Sequence, residues 1–282
     1  MTTVDWDEIE AMVEAALDED IGRGDLTTAV AVPPETRGSF TIRARQPMVV
    51  AGIDIAAAAF RALAPDCEID VHLEDGAAAE AGAAIAHVSG PAPGLLTAER
   101  TALNFLQLLS AIATTARDYV RAIEGIGAVM IDTRKTLPGY RNLSKYAARL
   151  GGLRNHRMRL DDGVLIKDNH IAIAGSVAAA VAGARRGTPL LTKIEVECDT
   201  LDQVREAIDA GADILLLDNM SLDDLRAAVR IAGGRVPLEA SGGVTLDTVR
   251  GIAETGVDFI SSGRITQSPT PVDIGLDVTL EA

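Results

Sequence analysis

The hydrophobic positions of this chain change their spacing from one part to the next, and the first part predicts a mixed domain. Residues 5–21 carry apolar side chains at helical spacing. Between residues 39 and 90, short apolar runs with partial alternation are separated by Pro, Gly and Asp, which predicts an antiparallel sheet. A helix is expected between these runs, over 56–64. The N-terminal part is therefore predicted to be an α+β domain.

A long helix is predicted over residues 96–125, after Pro91 and Pro93 mark a joint in the chain. Thr97 is predicted to be the N-cap, which would place Arg100 in the first turn. A basic residue there opposes the helix dipole. Two interpretations of Arg100 are open at this point, a functional cation and a solvated side chain.

From Gly127 onward, apolar runs alternate regularly with amphipathic helical runs. This alternation is typical of βα units and predicts a parallel sheet. Six units without a Rossmann glycine fingerprint suggest a closed or nearly closed α/β barrel, smaller than the usual eight. The strands are predicted at 128–132, 163–167, 193–198, 213–218, 236–240 and 257–261, and the main helices at 176–186, 201–210, 222–232 and 246–255.

Polar residues stand at the ends of these predicted strands, where α/β barrels place their active sites. The last two strands end in the small-residue turns 240–243 and 261–263, which suit a phosphate cradle of backbone N–H groups and hydroxyls. Carboxylates such as Glu197 and Asp218 suit Mg²⁺, which keeps its waters and usually rides on substrate phosphates. The strand-end residues are Asp132, Arg134, Lys135, Lys167, Glu195, Glu197, Asp218, Glu239, Ser241 and Ser262.

The charge pattern adds one feature to this picture. The chain has 41 acidic against 26 basic residues and a net charge of −15, yet the stretch 134–159 contains no acid. Within it, Arg141, Lys145 and Arg149 are spaced to line one helix face with like charges, which is unfavourable without acidic partners. The stretch is either a solvated basic face or a binding surface for a polyanion, and we favour the second.

Composition limits the class of protein. No apolar run is long enough for a membrane helix, and the N-terminus has no signal-peptide pattern. Cys67 and Cys198 lie far apart and are expected to be free thiols, so a cytoplasmic location is predicted. The acidic balance argues against nucleic acid as the main partner. The residues alone thus predict a two-domain α/β enzyme for an anionic, phosphorylated substrate.

Several motifs, in order, give a more specific resemblance. They are GRGDLTT (22–28), LTAERTALN (96–104), TRKTLPGYR (133–141), KYA (145–147), NHR (155–157), LIKDNH (165–170), IEVE (194–197), LLLDN (215–219) and EASGG (239–243). Together these motifs span most of the chain. By them the chain resembles the quinolinate phosphoribosyltransferase family, whose enzyme is also called nicotinate-nucleotide pyrophosphorylase (carboxylating).

The resemblance implies a fold and an assembly. It implies an N-terminal α+β sandwich domain over 1–108, an incomplete, roughly six-stranded parallel α/β barrel over 109–264, and a tail, 265–282, returning to the first domain. A homodimer, or an assembly of dimers, would share each active site between subunits. The implied reaction joins quinolinate to phosphoribosyl pyrophosphate (PRPP) with Mg²⁺, giving nicotinate mononucleotide, pyrophosphate and CO₂ in NAD biosynthesis.

The resemblance also implies residue roles. Lys135, Glu197 and Asp218 would be catalytic, and the two carboxylates would hold the ribose hydroxyls and Mg²⁺, directly or through water or PRPP. The other quinolinate-binding residues would be Thr133, Arg134, His156, Arg157 and Lys167, with Arg100 from the partner subunit. The 5′-phosphate would be bound by Ala240, Ser241, Gly242, Ser261, Ser262 and Gly263. Leu153, Arg264 and Gln267 depart from the usual motifs.

Two alternatives are kept beside this interpretation. A paralogue with the same fold would act on another anionic acceptor, although the many cations favour a diacid because a mono-acid would leave confined cations unpaired. A non-catalytic polyanion- or RNA-binding protein would use the stretch 134–159 and would need neither Glu197 nor Asp218.

Overall fold

The computed structural model describes residues 6–278, which form two compact units. The first unit contains the chain up to Arg117, the stretch Asn142–Gly151 and the chain from Pro269 onward. The second contains Asp118–Arg141 and Gly152–Ser268. The predicted domain ranges 1–108 and 265–282 include residues 1–5 and 279–282, which lie outside the described residues.

The predicted helices and strands follow one another in the predicted order, and the short helices Leu26–Ala31, Asp168–Ala174 and Arg264–Gln267 are among the additional elements. Up to residue 122 they are α1 (Trp6–Ile21), α2 (Leu26–Ala31), β1 (Arg37–Ala44), β2 (Met48–Val49), α3 (Ile53–Leu63), β3 (Glu68–Val71), β4 (Ala78–Ala79), β5 (Ala84–Pro91) and α4 (Ala92–Ala122). Then come β6 (Val129–Ile131), α5 (Arg141–Leu150), β7 (Val164–Ile166), α6 (Asp168–Ala174), α7 (Val177–Gly187), β8 (Ile194–Cys198), α8 (Leu201–Asp209), β9 (Ile214–Asp218), α9 (Leu222–Ala232), β10 (Leu238–Ser241), α10 (Leu246–Ala253), β11 (Phe259–Ser261), α11 (Arg264–Gln267) and β12 (Ile274–Val278).

The first unit is built on an antiparallel sheet with the strand order β12-β1-β5-β3, beside a two-stranded β2-β4 sheet. Strand β1 pairs with both of its neighbours in antiparallel register, so that Phe40 faces Val278 on one side and Val88 on the other. Phe40, Ile42 and Val88 are buried. The predicted antiparallel α+β domain is confirmed.

The long helix begins earlier than its apolar spacing predicts. Helix α4 starts at Ala92, and Pro93 lies in its first turn, where the missing proline N–H has no intrahelical acceptor to lose. The Thr97 hydroxyl donates to the Pro93 carbonyl at 2.9 Å and to Asp25 at 3.1 Å. The predicted N-cap role of Thr97 is therefore wrong, and Arg100 lies beyond the first turn.

Helix α5 corrects the interpretation of the basic stretch. Its residues from Asn142 onward group with the first unit. Lys145 is fully buried, on a face that it shares with Ala148. The Arg117 side chain donates to the carbonyls of Leu150, the last residue of the helix, and of Gly151, at 3.0 Å each. The predicted cationic face through Lys145 is wrong because tertiary packing turns that face inward.

The second unit holds six parallel strands in the order β6-β11-β10-β9-β8-β7. Among residues 6–278 no ladder joins β6 to β7, and only a single bridge from Ile131 to Arg154 continues the β6 edge. The incomplete six-stranded α/β barrel predicted from the sequence is therefore confirmed.

Local sequence fixes the helices that separate these strands. Ser176, Thr200 and Ser221 each accept a hydrogen bond from a first-turn N–H of α7, α8 and α9. None of the helices among residues 6–278 combines the length and the apolar character that a membrane-spanning helix requires. All six strands point the same way, so their carboxyl ends gather the polar residues that follow them.

Candidate active site

A cavity of about 390 Å³ lies where the six strands of the second unit end. It collects the cations, carboxylates and serines that were predicted at the strand ends, except Glu195 and Ser262. Its lining is formed by Asp132, Thr133, Arg134, Lys135, His156, Arg157, Leu165, Lys167, Glu197, Leu216, Asp218, Glu239, Ser241 and Ser261.

Three cations enter this cavity without an acidic side chain paired to them in the described structure. Arg134 is half-buried, and its Nε is buried with no hydrogen-bond partner among residues 6–278. Arg157 donates to the Gly163 carbonyl at 2.8 Å, which leaves the rest of its guanidinium for a ligand. Burial, followed by the charge of Arg134, lowers the pKa of Arg157. This repulsion is relieved when an anion binds between the cations.

Lys135 is the third cation, and its backbone is held on both sides. The Thr133 hydroxyl accepts the Lys135 N–H at 3.0 Å, and the Thr266 hydroxyl donates to the Lys135 carbonyl at 2.7 Å. A Cβ added at Gly263 would lie 2.6 Å from the Lys135 side chain. The glycine therefore gives the lysine stem its space, while the lysine stays exposed at the cavity.

Lys167 and Glu197 form an ion pair across neighbouring strands. Lys167 follows β7 and donates to Glu197 in β8, whose side chain is almost buried. The Lys167 backbone N–H donates to His170 Nδ1 at 2.9 Å, in the first turn of α6. A substrate that binds either member of this pair must compete with the other.

Asp218 ends β9 beside a strained residue. Asn219 has a positive φ of 53° and is the single non-glycine residue of this kind in the described chain. Its side-chain amide donates to Asp218 at 2.6 Å. A Cβ added at Gly242 would lie 2.2 Å from the Asn219 side-chain oxygen, so only glycine fits there. Non-glycine residues with positive φ cluster at functional sites, where surrounding structure holds them.

The residues predicted to cradle a phosphate lie at the ends of β10 and β11. Ser261 donates to Ser241 at 2.9 Å, and Ser262 donates to the Val244 carbonyl at 3.1 Å. Ala240 is buried within the sheet, next to the turn at Gly242. The Ser262 hydroxyl is therefore used by the fold, whereas Ser241 and Ser261 line the cavity.

His156 meets two buried glutamates to which the sequence analysis assigned no individual role. His156 Nε2 lies 2.8 Å from Glu195 and 3.4 Å from Glu239, and both carboxylates are buried. Among residues 6–278 this is the one cluster of three such side chains close enough to share a metal ion. Glu195 and Glu239 stand two residues before Glu197 and Ser241 on the same strands. Side chains two residues apart in a strand point to the same face, so this spacing could have shown that both glutamates lie deeper than the residues at the strand ends.

The charge state of His156 has two opposing influences. Burial alone would lower the pKa of His156, but the hydrogen bonds and charges of Glu195 and Glu239 outweigh it and raise that pKa to about 10. The backbone N–H of Arg157 points at His156 Nδ1 over 2.7 Å, which favours the neutral ring with its proton on Nε2. In both states Nε2 faces Glu195, so the ring orientation is the same.

Glu197 and Asp218 satisfy the chemical requirement for Mg²⁺, since both offer carboxylate oxygens at the cavity. One oxygen of Asp218 accepts from Asn219, and Glu197 has Lys167 as its partner. Neither carboxylate is sealed from the cavity, and a hydrated ion between them would be shared with a phosphorylated substrate.

The remaining predicted site residue, Arg100, is an exposed residue of α4 in the first unit. The structure also places the three residues that depart from the usual motifs. Leu153 is buried, while Arg264 and Gln267 are exposed in α11.

Comparisons with known proteins cover nearly the whole chain. The family model described as "Quinolinate phosphoribosyl transferase, N-terminal domain" matches residues 25–110, and the model for the C-terminal domain of the same enzyme matches residues 112–277. A "Probable nicotinate-nucleotide pyrophosphorylase [carboxylating]" from Synechocystis sp. is 45% identical over 94% of this chain and 90% of its own length. A "Nicotinate-nucleotide pyrophosphorylase [carboxylating]" from Mycobacterium leprae is 39% identical over 99% of this chain and all of its own length.

A solved structure extends the similarity to three dimensions. The nicotinate-nucleotide pyrophosphorylase from Francisella tularensis superposes with a TM-score of 0.95 at 40% identity, covering 98% of both chains. Sequence and fold thus agree over both units.

Proposed function

Because the chain belongs to the quinolinate phosphoribosyl transferase family, we propose that the cavity of its second unit joins quinolinate to PRPP. The products are nicotinate mononucleotide, pyrophosphate and CO₂, and the reaction belongs to NAD biosynthesis. The observation that carries the proposal is the group of Arg134, Lys135 and Arg157, which enters one cavity of a protein with a net charge of −15. A bound dicarboxylate supplies the negative charge that these three cavity cations otherwise have no acidic side chain to provide.

The acceptor subsite is formed by the cations and by Thr133. Arg134 and Arg157 present planar guanidinium groups that suit the two adjacent carboxylates of quinolinate, because each can bind a carboxylate through two parallel hydrogen bonds. Lys167 supplies a compact charge at the edge of the same cavity, and in the absence of a ligand Glu197 neutralises it.

The donor subsite is formed by the carboxylates and the glycine turns. Glu197 and Asp218 bind the ribose hydroxyls. The 5′-phosphate is held at the turns that contain Ala240, Ser241, Gly242, Ser261, Ser262 and Gly263, where backbone N–H groups and serine hydroxyls supply donors. Glu197 and Asp218 would also hold Mg²⁺, which when bound neutralises charge on the pyrophosphate group.

The chemistry depends on position and charge. The pyridine nitrogen of quinolinate carries no proton, so its lone pair attacks ribose C1 without a general base while the bond to pyrophosphate breaks. Glu197 and Asp218 stabilise the positive charge that develops on the ribose, and Lys135 stabilises the departing pyrophosphate. The bond from C2 to its carboxylate then breaks, CO₂ leaves, and the electron pair remains on C2 beside the cationic nitrogen until C2 takes up a proton.

The primary test is a turnover assay with quinolinate, PRPP and Mg²⁺ that follows nicotinate mononucleotide and CO₂ together. We expect the two products in equal amounts, with nicotinic acid inactive as an acceptor. Turnover of nicotinic acid, or no turnover of quinolinate by a folded protein that binds PRPP, would contradict the proposal and favour a paralogue with another acceptor.

Assembly is the second part of the proposal. We place Arg100 in the quinolinate site of a partner subunit within a homodimer, since α4 exposes this arginine and its own unit gives it no acidic partner among the described ion pairs. The free thiols Cys67 and Cys198 support the cytoplasmic location that forms part of the same proposal.

A mixing experiment tests the shared site. Arg100→Ala and Lys135→Ala proteins are each expected to be inactive. One of the two sites in each mixed dimer has both native residues, and about half of the dimers are mixed after full exchange of equal amounts, so the mixture is expected to regain up to about one quarter of full activity per total site. Size-exclusion chromatography with differently tagged chains measures subunit exchange. Demonstrated exchange with no recovery would place Arg100 in the site of its own subunit or outside the site.

A further inference from the structure

Arg141 is a half-buried cation of the second unit to which the proposed reaction gives no task. It is the first residue of α5, and it is not among the residues that line the strand-end cavity. Burial, followed by the charge of Arg134, lowers the pKa of Arg141. A guanidinium in such a position needs contacts that compensate for its burial and for the repulsion.

The Arg141 side chain makes hydrogen bonds to two different loops. Its Nε donates to the Thr136 hydroxyl at 2.7 Å, and its Nη1 donates to the Met158 carbonyl at 3.1 Å. Thr136 stands two residues after Arg134, and Met158 directly follows Arg157. One rigid, planar guanidinium therefore connects the loops 133–140 and 157–163, which carry the two arginines of the diacid subsite.

This connection lies where the parallel sheet is open. Within residues 6–278 no ladder joins β6 to β7. The Arg154 N–H donates to the Met130 carbonyl at 3.0 Å, and Asp132 accepts the His156 N–H at 2.9 Å. These bonds align the two chain segments as far as His156. Beyond that residue the Arg141 side chain supplies a further link between them.

The loop 157–163 is closed on itself, so a bond at one of its residues acts on the whole loop. Asp162 accepts the backbone N–H groups of Met158 at 2.6 Å and of Arg159 at 3.1 Å. The Arg157 side chain donates to the Gly163 carbonyl at 2.8 Å. A hydrogen bond to the Met158 carbonyl therefore helps to fix the position of the Arg157 guanidinium.

We propose that Arg141 is a positioning residue for the diacid subsite and sets the spacing between the guanidinium groups of Arg134 and Arg157. The inference rests on the proposed function for the identity of the ligand. Because the two carboxylates of quinolinate stand on adjacent ring carbons, both guanidinium groups must lie at a fixed separation to bind them together. A mono-acid needs only one of the two, so its binding does not depend on their separation.

The consequence for PRPP is smaller, because its proposed ligands are held by other contacts. The Lys135 carbonyl accepts the Thr266 hydroxyl at 2.7 Å. Glu197 and Asp218 belong to β8 and β9, each of which has a neighbouring strand on both sides. Loss of the Arg141 link should therefore separate the two substrates kinetically.

The main test is Arg141→Met, which keeps an unbranched side chain but removes every donor. We expect KM for quinolinate to rise by about tenfold or more and KM for PRPP to stay within about threefold. The inhibition constant of pyridine-2-carboxylate, a mono-acid, should stay within about twofold, because it needs only one guanidinium.

Arg159→Met is the matched control for charge. Arg159 is an exposed cation of the loop 157–163, so this variant has the same net charge as Arg141→Met. None of the three constants should change by more than about twofold, since a single exposed charge contributes little.

Thr136→Val tests the link without any change of charge. Valine has nearly the shape of threonine but offers no hydroxyl to Arg141, so KM for quinolinate should rise by about threefold or more. Thr136→Ser keeps the hydroxyl and should stay within about twofold. Added to Arg141→Met, Thr136→Val should change KM for quinolinate by less than about twofold, because the hydrogen bond is already absent.

Several results would overturn the inference. Equal changes in KM for quinolinate and for PRPP in Arg141→Met, or an equal loss of affinity for the mono-acid, would leave Arg141 only a general structural role. Arg159→Met as impaired as Arg141→Met would mean that charge alone matters, and Thr136→Ser as impaired as Thr136→Val would exclude the hydroxyl. If Arg141→Met fails to fold, the two Thr136 variants still decide the question. An inactive unmodified protein would instead count against the proposed function.

Discussion

A substitution at Arg134 should separate the effect on quinolinate binding from the effect on folding more clearly than a change at any other cavity cation. Its Nε is buried without a partner among the described residues, and its charge helps to lower the pKa of Arg157, for which burial is the larger cause. In the unliganded protein the Arg134 side chain therefore contributes repulsion and makes no hydrogen bond within residues 6–278. We expect Arg134→Gln to weaken quinolinate binding strongly while leaving the fold intact or slightly more stable.

The magnitude follows from the type of bond that is lost. A hydrogen bond to a charged group contributes about 1.5–3 kcal/mol, so quinolinate affinity should fall by about ten- to hundredfold. The free energy of unfolding without ligand should stay within about 0.5 kcal/mol of the unmodified value or rise. At a quinolinate concentration of about 100 Kd for the unmodified protein, ligand stabilisation should drop from about 2.7 kcal/mol to between about 1.4 and 0.4 kcal/mol.

The assay is urea unfolding with and without quinolinate, together with calorimetric titration of the folded proteins. Arg159→Gln is the control, because Arg159 is an exposed cation of the same basic stretch that does not line the cavity. Arg159→Gln should change neither affinity nor stability. The reasoning is refuted if Arg134→Gln loses more than about 1 kcal/mol of stability without ligand, or if both variants lose equal affinity.

Two further predictions concern the frame of the site. Gly242→Ala should abolish PRPP turnover, since the new Cβ would lie 2.2 Å from the Asn219 amide oxygen, whereas Gly243→Ala, with positive φ but open space, should cost only backbone strain of about 1 kcal/mol in urea unfolding. Equal losses of turnover in Gly242→Ala and Gly243→Ala would contradict the predicted clash with Asn219. Burial alone would raise the pKa of Asp213, but Arg185 and a backbone N–H outweigh it and lower that pKa. The resulting stability is present above the unfolded pKa of about 3.9 and is lost as pH falls through the folded pKa, so the stability gap between the unmodified protein and Asp213→Asn should shrink from pH 6 to pH 3. A constant gap would contradict this.

The sequence by itself determined the order and type of the main helices and strands. Helical and strand periods are local properties, because they record which face of a segment is buried, and they predicted both the antiparallel sheet and the six parallel strands. The topology of parallel strands then brings residues such as Lys135, Glu197 and Asp218 to one edge from distant parts of the chain. The cavity lining could therefore be predicted in large part.

Tertiary structure decided how individual polar side chains are used. Lys145 has the spacing of an exposed cation, yet packing buries it completely. Glu195 and Glu197 are nearly indistinguishable in sequence, but one lies deeper and meets His156, whereas the other lies at the cavity and meets Lys167. Burial and partners depend on contacts between distant segments, which no local period encodes. Local sequence thus fixed the position of the site, and packing fixed the role of each charge within it.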